Sequence, residues 1–222
     1  MLNNIPFSVY DFFAYLSAGV VVLAAGLYLD PAFTLPPAWQ GTMSLALGIV
    51  AAYTAGHVIA LISGYLLERR LTIRILGRAE DFLLQKTAQK DWRVRLFPGY
   101  TDGLPESTID DVLARVPDAV KQGATRRPVF LHCWRTVRQS PAVAARLDTF
   151  LAEYGFCRNM AVALALAAIV FAGDAIADRV RRMPIPTELW IWLIVAVVAA
   201  PFMYYGYLKF YRQYTYEVFT NF

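Results

Sequence analysis

Polar side chains inside long apolar runs are costly to place at bilayer depth, so chemistry in this chain is sought there first. His57 stands near the middle of the run MSLALGIVAAYTAGHVIALISGYLL, residues 43–67. It lies about ten residues from one end, hence roughly 15 Å deep at about 1.5 Å of rise per residue. A neutral imidazole at that depth can bridge two helices by a hydrogen bond, and its ordinary pKa of about 6.5 also suits a proton-sensitive gate. Asp11, in VYDFFAYL, and Arg158 with Asn159, in GFCRNM, fall at the inner ends of two other apolar runs. Opposite charges at one depth lower each other's burial cost, so Asp11 and Arg158 are expected to meet, either as an assembly salt bridge or as part of a gate. His57, Asp11, Arg158 and Asn159 are thus the pore or gating candidates.

Catalytic constellations are missing from the sequence. It contains no GxGxxG, Walker A, HExxH or GxSxG pattern, which argues against the common nucleotide-hydrolysing and hydrolase classes. A lipid-directed enzyme would need a nucleophile at the depth of His57. Ser63, six residues on, falls on a different helical face. The adjacent pair Asp110-Asp111 points to two sides of a helix and forms no acid–base dyad. Cys133 and Cys157 belong to no CxxC and no His set of metal spacing, so neither a disulfide nor a metal site is implied. The chain is expected not to be an enzyme and to carry no cofactor.

The elements that must position these residues are helices in a membrane. Hydrophobic residues fill 58% of the 222 positions, and the mean hydropathy of +0.42 exceeds that of an ordinary globular chain. Four windows, 9–29, 43–67, 160–177 and 189–208, are long enough to cross a hydrocarbon core of about 30 Å. The first has no preceding Lys or Arg and no small-residue cleavage pattern after it, so it is expected to be retained rather than removed as a signal peptide. Sixteen of the 21 Lys and Arg residues lie in 68–159, three between the last two windows, and two after the fourth. The positive-inside rule then places the central segment and both termini in the cytoplasm of a bacterial inner-membrane, multi-pass protein. In the second window Ser44, Gly48, Ala52, Gly56, Ala60 and Gly64 put a small residue at every fourth position. Such ladders let helix backbones approach closely in lipid, so these six are the helix-packing candidates.

The chain is therefore divided into transmembrane helices 1 and 2 over 1–67, a helical cytoplasmic domain over 68–155, transmembrane helices 3 and 4 over 156–208, and an aromatic tail over 209–222. Gly77 is a plausible kink or end of the second helix. Ser107 with Asp110 resembles a capping box, and Pro128 and Pro141 can each open a helix. The two longest helices of the central domain are expected to extend the second and third spans and so to carry motion between cytoplasm and membrane. Arg126, Arg127, His132, Arg135 and Arg138 are the densest basic cluster. Guanidinium groups suit phosphate and carboxylate, whether on a small anionic ligand or on lipid headgroups at the inner leaflet. Trp92, Trp134 and Tyr100 form no stacking series, so nucleic acid is not expected. Tyr207, Tyr211 and Tyr214 share one helical face in the tail and are read as an interfacial anchor along the leaflet, with docking onto the central domain as the other reading.

Together these features predict an all-α integral membrane protein of four transmembrane helices, with a small helical cytoplasmic domain between helices 2 and 3. Its expected partners are the bilayer, further copies of itself, and a cytosolic protein or small anionic ligand. In architecture, though not in motif, it is similar to the small multi-span effectors of bacterial anti-phage systems. That likeness implies a homo-oligomer that forms an ion-conducting pore or perturbs the membrane under control of the cytoplasmic domain, in antiviral defence. The competing expectation is a non-enzymatic scaffold or sensor that recruits a cytosolic protein. A secondary transporter is disfavoured, because the windows show no inverted repeat.

Overall fold

Runs of Leu, Ala, Val and Ile without internal breakers dictate long helices here, and every regular element among the described residues is helical. A computed structural model of the chain describes residues 9–29, 41–86, 92–97, 99–122 and 125–222, apart from the side chains of 9–11 and 13. Helix α1 is Val9–Leu29 and α2 is Thr42–Ser63, which continues as a π-helical segment over Gly64–Leu76. Five short helices follow: α3 (Ala79–Leu83), α4 (Trp92–Leu96), α5 (Glu106–Arg115), α6 (Asp118–Lys121) and α7 (Arg127–Val137). The two longest are α8, Pro141–Val180, and α9, Thr187–Thr220. Three helical stretches are long and apolar enough to cross a membrane: Thr42–Leu83, Pro141–Val180 and Thr187–Thr220. In α1 the apolar stretch Ala14–Leu29 is shorter.

The chain forms two compact units, Met1–Leu67 with Gly155–Tyr204 and Glu68–Tyr154 with Tyr205–Phe222. In the first, α1 and α2 are in backbone contact. A Cβ at Gly19 would collide with the carbonyl of Ala52, and one at Gly56 would collide with the carbonyl of Tyr15. Only glycine permits this separation. Around the contact, Ala18, Ile59, Val162 and Ala163 form one small buried cluster, and Ala25, Ala167, Phe171, Leu189 and Ala196 form another. Alanine makes up half of the first and most of the second, as expected where helices are held by close packing rather than by bulky side chains.

The second unit is built like a soluble helical domain. Its core joins Leu83 and Leu84, Ile109 and Val112 of α5, Val129 and Cys133 of α7, and Leu147 of α8. Val218 and Phe219, at 0% and 1% exposure, complete it from α9. The aromatic tail therefore contributes to this core.

Local punctuation follows the sequence in part. The π-helical segment stops at Leu76, and Gly77 takes φ 98°, the left-handed region that glycine tolerates. Its N–H donates to the Thr72 carbonyl at 2.9 Å, five residues back. Pro128 lies in the first turn of α7 and Pro141 opens α8. Ser107 does not cap α5: the helix already begins at Glu106, with Pro105 at the N-cap and no side-chain cap. Pro105 sets the entry by its fixed φ, and its carbonyl accepts from the Ile109 N–H at 3.0 Å. Pro201 sits inside α9 without ending it.

The glycine contact yields a contrast between two positions on one helix. Gly56→Leu is expected to separate α1 from α2 and to lower the melting temperature of the detergent-purified protein sharply. Gly48→Leu should leave it within a few degrees, because nothing lies within 4 Å of the Cβ it would add. Equal melting of the two variants would contradict the backbone contact.

Candidate functional site

In the first unit, two of the polar residues expected to gate a pore, His57 and Asn159, have partners within one copy of the chain. The imidazole of His57 stacks on Tyr15 of α1, ring centroids 4.2 Å apart at 19°, and meets the edge of Tyr53 at 4.6 Å and 87°. One turn separates Tyr53 from His57 on α2, so the helix repeat itself brings these rings together. Asn159, 2% exposed, accepts a 2.7 Å hydrogen bond from the hydroxyl of fully buried Ser63. This pair ties α2 to α8, as interhelical side-chain bonds do where water is absent. The Arg158 guanidinium lies 3.8 Å from the Cβ position of Gly64, so the small residue there gives it room. The side chain of Asp11 lies outside the described residues.

The small-residue ladder divides into parts. Ala52 and Gly56 are buried against α1, whereas Ala60 and Gly64 are half-buried. Ser44 and Gly48, together with Ala52, line an apolar groove of about 870 Å³ between α1 and α2, with Leu16, Val20 and Leu45 among its walls.

The second unit holds a feature of another kind, a carboxylate shut off from water. Glu80, on the five-residue α3, is 0% exposed. Its Oε1 accepts from Arg127 Nη1 at 3.1 Å and faces Arg78 Nη1 at 3.9 Å. Its Oε2 accepts from the Tyr211 hydroxyl at 3.1 Å. Burial together with the charge of Glu80 pushes the Tyr211 hydroxyl far above its ordinary range, so it remains a donor. Asp81, the next residue, accepts the backbone N–H of Arg126 at 2.9 Å. Arg126 precedes the first residue of α7, so the Asp81 carboxylate sits where the helix dipole favours negative charge.

Beside Glu80 is a partly open cleft of about 340 Å³. Arg78 and Arg127 line it together with Glu68, and its walls include Phe130, Trp134, Tyr154, Tyr211 and Tyr214. The Arg127 guanidinium lies 5.1 Å over the Phe130 ring, a cation–π contact that fixes its plane. Trp134 donates its indole N–H to the Tyr214 hydroxyl at 2.7 Å.

The basic cluster does not act as one site. Of its five members Arg127 alone lines the cleft. Arg138 pairs with Asp148 at 3.0 Å and covers Trp134, His132 meets the edge of Phe222, and Arg135 is exposed. The tyrosines read as an interfacial anchor are placed differently too. Tyr207 is fully buried and stacks on Tyr211 at 6.1 Å and 2°, and Tyr211 and Tyr214 are hydrogen-bonded inside the second unit. The tail is held further by Arg115, which donates to the Phe222 carbonyl at 3.1 Å, and by Arg146, which donates to Asn221 at 3.1 Å.

Sequence reasoning missed Glu80, Arg78 and the aromatic cleft. One signal pointed to them: Glu80 shares a helical face with Leu83 and Leu84. A carboxylate on the apolar face of a short helix needs a buried partner. Among the described residues, no three His, Cys, Asp or Glu side chains gather so as to hold a metal ion. Compared with known proteins, the chain matches no family model, no curated protein and no solved structure.

Two outcomes are expected from this geometry. Glu80→Ala leaves two partly exposed guanidiniums that can relax toward water, so its cost should fall near about 3 kcal/mol, the low end for breaking a buried pair. That corresponds to a melting temperature roughly 6–12 °C lower; unchanged melting would show that the carboxylate does not hold the unit together. Burial pushes the Cys133 thiol from 9.0 up to about 12. A raised acid pKa stabilises the fold below the unfolded value, and this contribution is lost as pH climbs from about 9 toward 12. In a Cys157→Ala background, maleimide should therefore label Cys133 slowly at pH 8 and rapidly after denaturation, and fast native labelling would refute its burial.

Proposed function

We propose that the chain is a four-span protein of a bacterial inner membrane, with both termini and the central helical domain in the cytoplasm. In this reading α1 is the fourth span: its 21 residues would extend about 31 Å. Several copies assemble in the bilayer and form a pore or perturb the membrane, under control of the second unit. The observation that supports assembly is the unequal use of the small-residue ladder. Gly56 meets the chain's own α1 at backbone distance, Ala52 both meets α1 and edges an apolar groove, and Ser44 and Gly48 continue the stripe along that groove. A second copy's helix fits such a groove better than lipid does, since small residues permit close backbone approach. The spans also bury little of themselves: 17%, 33% and 11% of their most apolar windows, which leaves ample surface for lipid and for other copies.

A second reading, a membrane scaffold or sensor that recruits a cytosolic protein, draws support from the first unit's polar residues. His57 is held between two tyrosine rings and Asn159 bonds Ser63, which suits structural roles. Neither reading calls for catalysis.

Native mass spectrometry from nanodiscs and ion flux in proteoliposomes separate the two. The pore reading expects a closed assembly of several copies that Gly48→Leu dissociates without unfolding the chain. It also expects His57→Phe, which keeps the aromatic stack, to change flux several-fold. A monomer with no flux would overturn assembly and leave the scaffold; an intact assembly with flux indifferent to His57→Phe would remove that residue from the pathway.

A further inference from the structure

The arginines at the cleft are already oriented, and the question is what they are oriented for. Glu80 is fully buried, so a molecule entering the cleft does not meet it. Its contacts use one nitrogen of each guanidinium, Nη1 of Arg78 and Nη1 of Arg127, and a guanidinium has five N–H donors. The two side chains are 32% and 42% exposed and both line the cleft. Paired, preoriented guanidiniums beside a cavity are suited to the oxygens of a phosphate. Much of the remaining lining is aromatic, and aromatic faces stack on planar heterocycles.

Size and charge narrow the class further. A cleft of about 340 Å³ lies at the small end of ligand pockets, which run from roughly 300 to 1,000 Å³. Glu68 also lines it and Glu80 pairs with both arginines from behind, so two positive groups are offset by two negative ones and the anion must be met by the guanidinium donors rather than by net charge. That balance disfavours a polyphosphate and leaves room for a phosphate of low charge. Glu68 and Ile73 come from the π-helical segment Gly64–Leu76, and such departures from the α-helical repeat are frequent at functional sites.

We propose that this cleft binds a small phosphomonoester carrying a planar heterocycle, a nucleoside monophosphate by class. Arg78 and Arg127 hold the phosphate; Phe130, Trp134 and the tyrosines receive the base; Glu80 is a positioning residue that fixes the two guanidiniums. This deepens the reading of the second unit as a control module and rests on that reading for the consequence of binding, though not for binding itself.

The test is calorimetry on the full-length protein in nanodiscs of neutral phosphatidylcholine, with AMP, GMP, CMP and UMP as probes. At least one should bind with a micromolar Kd, and its nucleoside, inorganic phosphate and its triphosphate should each bind at least tenfold more weakly. Arg127→Lys keeps a charge for Glu80 but loses the planar fork, and should weaken binding at least tenfold. Leu131→Trp plugs the cleft from an exposed wall residue, should leave melting unaltered, and should abolish binding. No binding by any of the four at millimolar concentration would overturn the proposal. Equal binding by Leu131→Trp would do the same, as would a heat signal seen with anionic-lipid nanodiscs alone, which would assign the arginines to headgroups. Nucleotide binding without flux would uphold the cleft and sink the pore; flux without nucleotide binding would do the reverse.

Discussion

A carboxylate that cannot reach water imposes a requirement on everything around it. Isolated, the charge of Glu80 would be prohibitive in the second unit's interior, and the groups that match it come from three places in the chain. Arg78 precedes α3, Arg127 opens α7, and Tyr211 lies on α9. A helix as short as α3 has little stability of its own. It is held because its one buried charge has all its partners and because Leu83 and Leu84 on the same face enter the core. The register of α9 follows, since Tyr211 must reach Glu80 while Val218 and Phe219 fill the core below. The cleft is the space that this arrangement leaves beside its cations.

The first unit obeys different physics. Hydrocarbon offers helices no hydrophobic reason to associate, so proximity and a few internal polar contacts must suffice. Gly19 and Gly56 supply the proximity, and the Ser63–Asn159 bond and the His57 ring stack supply the contacts. The two units therefore fail differently: the first when volume is added, the second when a buried charge loses its partners.

What could be read from the residues follows from which patterns are periodic. Long apolar runs announced α2, α8 and α9, and the prolines at 128 and 141 marked where α7 and α8 open. The ladder at Ala52 and Gly56 was visible as a repeat of four. The cleft was not, because its residues come from positions as distant as Glu68, Arg127 and Tyr214 and share no local spacing. The tail shows the limit most plainly. Tyr207, Tyr211 and Tyr214 on one face fit a membrane interface and a protein core equally well, since both want an aromatic body with a polar tip. Glu80 and Trp134 are hydrogen-bond partners of Tyr211 and Tyr214, and neither is near them in sequence. The π-helical segment was hidden for a related reason: a repeat of i to i+5 leaves no distinctive apolar stripe in LLERRLTIRIL.

The second unit is discontinuous in the chain, and this bears on how the protein is made. Its core needs residues up to Phe219, but residues 155–204, which belong to the first unit, are synthesised in between. While the ribosome builds that stretch, the nascent domain stands open, with the floor of its core and the hydroxyl for Glu80 still missing. Completion must wait until α9 has been synthesised through Phe219. The second unit thus cannot close until a stretch belonging to the first has been made.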